Sequence, residues 1–190
     1  MDSDETVLVE QARQGDRAAF SALVAAHRGA VYGFAQRLAG DAALAEDVLQ
    51  ETFLDAHRAL ASWRGEGSFR GWLLSIARRR VLMSKRRRVG EPANHEGEAT
   101  LLSLGLEAGW GAAMDPEALA QRTEAKDTIE AALAQLDEEE REVVVLRDLE
   151  GLSGEETAAA LGLGLPAMKS RLHRARLRLV AAVKGAHHGR

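Results

Sequence analysis

The chain has 190 residues, 46% hydrophobic and 4% aromatic, with no cysteine, three prolines and a formal net charge of −4. That length and apolar content call for one or two folded domains rather than a disordered chain. The missing thiols exclude disulfides, thiolate metal sites and cysteine nucleophiles. No run approaches the roughly 18 apolar residues that a membrane span needs. The acidic start, MDSDETVLVEQARQGD, has no apolar stretch of signal-peptide length. A soluble, cytoplasmic protein without membrane insertion is expected.

In chain order, Asp16 is placed to cap a long helix with Phe20, Leu23, Val24, His27, Val31, Ala35 and Leu38 on one face. Gly40 ends it and Asp41 caps a second, which runs to about Leu60. The second helix should bury Ala45, Val48, Leu49, Thr52, Phe53 and Ala56 and present Asp47, Gln50, Glu51, Leu54 and Arg58. A loop over Ala61–Gly67 follows. Ser68 then caps a third long helix with Phe69, Trp72, Leu73 and Ile76 inward. Trp63, in the loop, is expected to be exposed.

From Val89 to Met114 the sequence is rich in Gly, Ala and Glu without sustained periodicity, which reads as a flexible acidic linker with at most a helical turn near Leu101–Leu104. Asp115-Pro116-Glu117 opens a helix that ends near Leu136. Asp137 with Glu140 starts the next, through Val143–Leu146 to Gly151. Ser153 with Glu156 makes a capping box for a short helix to Leu161, Gly162 turns the chain, and a last helix begins near Pro166. The fold class expected is all-α, in two small helical domains: 1–88 and 115–184, joined by the linker 89–114.

The net charge conceals a segregation. Arg78, Arg79, Arg80, Lys85, Arg86, Arg87 and Arg88 have no acid among them, and no acidic residue follows Glu156, whereas 89–115 holds acids and no Lys or Arg. Two basic surfaces on either side of an acidic connector suggest two contacts with a polyanion. In Leu152–Leu179, Ala158 stands four before Gly162, where two helices cross closely. Met168, Leu172, Ala175, Leu179 and Val183 should face inward while Lys169, Ser170, Arg171, His173, Arg174, Arg176 and Arg178 stay largely outward. That is the layout of a helix-turn-helix whose second helix enters the major groove.

On these residues the chain resembles a known family. LGLGLPAMKSRLHRAR (Leu161–Arg176) is similar to the promoter-reading domain of the extracytoplasmic-function sigma factors of the sigma-70 family. AEDVLQETFLDAH (Ala45–His57) resembles that family's polymerase-binding helix, and FRGWLLSIARRR (Phe69–Arg80) its helix for the melted promoter element. The matches follow the family's order and cover nearly the whole chain.

The resemblance implies a transcription initiation factor that brings core RNA polymerase to promoter DNA, monomeric when free and held by an anti-sigma factor. It implies polymerase docking through Asp47, Gln50, Glu51 and an exposed Leu54. It assigns the −10 element to Trp63, Arg64, Ser68, Phe69, Arg78, Arg79, Arg80, Lys85 and Arg86, and the −35 element to Lys169, Ser170, Arg171, Arg174 and Arg178. The linker would thread the polymerase's RNA channel. The sequence departs from the family at Arg79 (usually Asn), Met83 (usually Asp), Gly164, Pro166 and Ala167, which bears on promoter preference.

A helix-turn-helix repressor or activator working without polymerase is the alternative; it leaves the 45–57 face and the first basic helix unemployed. An enzyme is not expected. The sequence offers no catalytic residues, no phosphate-cradling glycine loop, no metal-spaced histidine pair on a helix and no cofactor site, and His187-His188 are read as incidental.

Overall fold

Asp16 begins the long helix of the first unit as its sequence demands. Its side chain accepts hydrogen bonds from the Ala18 and Ala19 N–H groups at 2.8 and 3.1 Å, occupying donors that the first helical turn leaves unpaired. Gly40 closes the same helix in the left-handed region at φ 70°, and its N–H donates to the Gln36 carbonyl. Asp41 repeats the cap on the next helix, accepting from the Leu44 N–H at 2.9 Å.

The computed structural model describes residues 3–87 and 124–188. The connector at 89–114, with its turn near Leu101, and the helix start at Asp115 and Pro116 lie outside the described residues. The chain divides into two compact units. The first holds α1 (Ser3–Arg13), α2 (Arg17–Ala39), α3 (Ala42–Ala59), a 3-10 turn at Leu60–Ser62, and α4 (Phe69–Arg87). The second holds α5 (Glu124–Ala134), α6 (Glu138–Val144), a π-helical turn at Val145–Leu149, α7 (Gly154–Leu161) and α8 (Leu165–His188). Every regular element among the described residues is helical.

In the first unit α2, α3 and α4 pack on one another and α1 packs on α2. Every residue expected on the inner faces of α2 and α3 is buried. Phe34 and Tyr32 are buried too, because α2 meets neighbours on more than one side and its apolar face is wider than a single stripe. Phe34, Phe53 and Phe69 anchor this core with Leu23, Leu38, Leu73, Leu74 and Ile76. Each such side chain contributes roughly 1.5–3 kcal/mol when fully removed from water.

α1 is an addition to the sequence reading, which took residues 1–16 only as an acidic start. Its first turn carries Asp4 and Glu5 and its last turn Arg13, charges that suit the helix dipole. Val9 is its buried anchor. One apolar contact in eleven residues is too weak a periodicity to signal a helix.

In the second unit, Val143, Val144, Val145 and Leu146 are all buried. Four successive buried residues need more than one face of a helix, and the backbone widens here into the π turn, with the Glu150 N–H donating to the Val145 carbonyl at 2.8 Å. Gly151 then ends the element at φ 70°. α8 begins at Leu165, one residue before the expected start, and the Met168 N–H reaches the Gly164 carbonyl at 3.0 Å.

Replacing Asp16 by Ala removes the α2 cap. It is expected to lower the stability of the first unit by about 1 kcal/mol, seen in urea melts followed by circular dichroism as a lower midpoint at unchanged slope.

Candidate nucleic-acid interface

α7 and α8 form the helix-turn-helix, and its turn is built from locally satisfied backbone. Ser153 and Glu156 complete a reciprocal capping box: the Glu156 N–H donates to Ser153 Oγ at 3.1 Å and the Ser153 N–H to Glu156 Oε2 at 2.9 Å. At the other end Gly162 adopts φ 67°, its N–H donating to the Ala159 carbonyl, and the Leu163 N–H donates to the Ala158 carbonyl at 2.9 Å. Ala158, Leu161, Met168 and Leu172 close the core under the crossing. The tightest approach falls at Gly154, which the sequence reading did not single out. A Cβ there would stand 3.3 Å from Leu165 Cδ1 and 3.4 Å from Met168 Cε.

α8 buries Met168, Leu172 and Ala175 as expected, while Leu179 and Val183 are half-buried. Lys169, Ser170, His173 and Arg174 are exposed, and their spacing places them together on the side facing away from that core. Lys169 and Arg174 have no ion-pair partner among the described residues.

The other arginines of α8 reach back to acids. Arg171 meets Glu139 Oε2 at 2.7 Å and its side chain is only 19% exposed. Arg176 forks onto Asp148 at 2.9 and 2.5 Å, a hydrogen bond that raises the guanidinium pKa above its ordinary value. Arg178 meets Glu140 at 2.8 Å and Asp137 at 3.2 Å. Glu140 is thus drawn away from the reciprocal box expected with Asp137, although Asp137 still accepts from the Glu140 N–H at 2.8 Å. Asp137 and Glu140 were read from the sequence only as a helix start, and Glu139 and Asp148 were not singled out. Pairing them with α8 needs the tertiary register, which residue spacing does not give.

In the first unit, Asp47 and Gln50 are exposed on α3 and Glu51 is half-buried. Leu54 is half-buried rather than exposed, a correction to the expectation. α4 exposes Arg79 and Arg86 and half-buries Arg78 and Lys85, while Arg64 projects from the loop. Arg80 is turned the other way, with its side chain 17% exposed against α3. Its Nε donates to Asp55 Oδ2 at 2.7 Å, its Nη2 to Asp55 Oδ1, and its Nη1 lies 3.0 Å from Glu51 Oε2.

The loop holds a second correction. Trp63 is 8% exposed, not open to solvent. It stacks on Trp72 with centroids 5.3 Å apart and meets Phe69 edge-on at 5.6 Å. Phe69 is wholly buried and also meets the His27 ring at 5.4 Å. Three aromatic rings that can satisfy one another leave little reason to face water. Ser68 caps α4 as expected, its Oγ accepting from the Gly71 N–H at 3.0 Å. Gly65 and Gly67, at φ 75° and 76°, let the chain turn between them.

The described residues thus combine a helix-turn-helix presenting cations with a separate helical unit carrying a second basic helix. Comparison with known proteins agrees. The family described as Sigma-70 region 2 matches residues 23–90, and Sigma-70, region 4 matches 126–179. The RNA polymerase sigma-H factor of Pseudomonas aeruginosa is 34% identical over 179 residues, covering 89% of this chain and 88% of that one. The ECF RNA polymerase sigma-E factor of Escherichia coli is 34% identical over 180 residues, 90% of each.

Among solved structures, CnrH in complex with the cytosolic domain of CnrY is similar with a TM-score of 0.67 and 30% identity, over 96% of this chain and 99% of that one. The sigma factor RpoE in complex with the anti-sigma factor NepR from Bartonella quintana is similar with a TM-score of 0.61 and 25% identity, over 85% of this chain and 92% of that one. The chain belongs to the sigma-70 family, in its extracytoplasmic-function (ECF) branch, with regions 2 and 4. It is a non-enzymatic initiation factor that acts through promoter recognition. The region 2 match also accounts for the helices that a stand-alone helix-turn-helix regulator leaves without a role.

Gly162→Ala forces a Cβ into the left-handed turn between α7 and α8. The second unit should lose about 1–2 kcal/mol of stability, and promoter affinity should fall with the folded fraction when both are followed across a urea series.

Proposed function

We propose that this protein docks on core RNA polymerase through α3 and reads two promoter elements, one with each unit. What supports this reading most is the single exposed face of α8, where Lys169, Ser170, His173 and Arg174 stand clear of the core. Lys and Arg at such positions pair with guanine in the major groove, at about 1–3 kcal/mol of discrimination for each good pair. Lys169, Ser170 and Arg174 are assigned to the −35 element. Arg171 and Arg178, expected beside them, have ion-pair partners in the free chain, so their contact with phosphate involves an exchange of partners.

The −10 element falls to Arg64 and Ser68 from the loop and to Arg78, Arg79, Lys85 and Arg86 along α4. Opening a duplex costs roughly 1.4 kcal/mol per base-pair step, and cations along the displaced backbone offset part of it. Trp63 and Phe69 form the wall beneath this surface in the free chain. Stacking on a base requires the loop to lift, a motion that Gly65 and Gly67 permit. On α3, Asp47, Gln50, Glu51 and Leu54 form the docking face, with Leu54 a partly sunken apolar anchor inside a polar rim. The free chain is taken to be a cytoplasmic monomer. CnrH and the Bartonella quintana RpoE were solved with CnrY and NepR, and a comparable anti-sigma partner is proposed here.

Run-off transcription with core polymerase over a random promoter library tests the whole reading. Transcripts above the core-only level are expected, and their absence would end it. Lys169→Ala and Arg174→Ala should each weaken −35 binding and reduce the slope of log affinity against log salt by about 1 if a phosphate contact is lost. Asp47→Ala combined with Leu54→Ala should weaken core binding by more than the small loss of stability in the isolated chain's melting curve accounts for, since Leu54 is half-buried.

A further inference from the structure

Arg80 stands inside the basic run of α4 yet is not offered to DNA. Each of its three nitrogen positions is engaged: Nε and Nη2 on Asp55, Nη1 on Glu51. The Asp55 hydrogen bond raises its pKa further above the ordinary guanidinium range, so the group keeps its charge at any working pH. Reaching a phosphate would mean giving up a two-pronged contact with one carboxylate and a second contact with another.

Those carboxylates stand one turn apart on α3. Glu51 belongs to the proposed docking face, and Asp55 follows it at i+4. Like charges at that spacing repel and would swing outward independently. The guanidinium between them removes that freedom. Arg58 also lies 4.0 Å from Asp55 Oδ1, whereas Arg80 reaches both carboxylates. Their side chains remain 29% and 28% exposed, so both carboxylates reach the surface in a fixed direction. A surface of fixed acceptors binds a basic partner at lower ordering cost than one of mobile acceptors.

We propose that Arg80 is a positioning residue of the polymerase-docking face, holding the Glu51 and Asp55 carboxylates in register, rather than a DNA contact. This rests on the docking assignment of α3 made above. It also fastens the outer half of α4 to the docking helix, so the element that meets DNA and the element that meets polymerase move as one body.

Charge alone predicts the opposite result. Removing a cation leaves the face more negative, and simple electrostatics would tighten its hold on a basic surface. The sign of the change therefore separates positioning from charge. In a titration of fluorescently labelled full-length chain with core polymerase, Arg80→Ala is expected to bind about tenfold more weakly, equivalent to about 1.4 kcal/mol. Arg80→Lys, which keeps the charge and loses the planar fork, should weaken binding to a lesser degree. In holoenzyme–promoter binding, Arg80→Ala should leave the salt slope unchanged, whereas Arg79→Ala should reduce it by about 1.

Core binding by Arg80→Ala that equals or exceeds that of the parent chain, or a salt slope that falls as for Arg79→Ala, would overturn the proposal. Thermal melts by circular dichroism accompany each variant. If Arg80→Ala does not fold, folded Arg80→Lys carries the same test. Loss of binding by Asp47→Ala with Leu54→Ala, alongside unaffected Arg80 variants, defeats this inference alone. Normal binding by that double variant removes the docking face and the inference with it.

Discussion

Phe69 is the side chain on which the first unit turns. It has no exposed surface and meets His27 from α2, Trp63 from the loop and Trp72 from its own helix. His27 in turn lies 2.6 Å from Glu5 of α1, between its Nε2 and the carboxylate Oε1. Every element that frames the basic surface of α4, apart from α3, is thus linked through one ring or its immediate neighbours. Aromatic pairs of this kind add about 0.5–1.5 kcal/mol each beyond their buried area. The same packing sets the position of the loop, with the indole of Trp63 held in the cluster.

The second unit solves a different problem. Its last helix carries no acid, and like charges along one helix repel. The structure relieves this by bringing Glu139, Glu140, Asp137 and Asp148 against Arg171, Arg178 and Arg176. Where such a pair is open to solvent, as between Arg178 and Asp137, it contributes at most about 1 kcal/mol. The larger effect of these pairs is selective: Lys169 and Arg174, on the face away from the core, have no such pair among the described residues. A sequence-wide count of cations overstates the charge that α8 leaves without an internal partner.

The fold was legible wherever the signal is local. Asp16, Asp41, Ser68, Asp137 and Ser153 all cap as their residue types suggest, and Gly40, Gly151 and Gly162 all turn in the left-handed region. The inner faces of α2 and α3 followed from their periodicity. The π turn at Val145–Leu149 did not, because a run of four apolar residues reads the same in a helix of either width. α1 was missed because a single buried valine gives no period. At the sites, the residue types and the two faces of α8 were readable, and the partners that other elements supply were not. Trp63 looked like a loop tryptophan until Trp72 and Phe69 were placed beside it. Arg80 looked like its neighbours until Asp55, twenty-five positions earlier, was found opposite it.

The ion pairs of α8 join residues 28, 32, 38 and 41 positions apart, and the acid comes first in each. During synthesis the described helices of the N-terminal unit, which end by Arg87, can therefore close on one another while the arginines that complete the other unit have yet to be made. At a translation rate of roughly 5–20 residues per second, the roughly hundred residues that remain take several seconds. The nascent protein would in that interval hold a folded first unit and lack its helix-turn-helix.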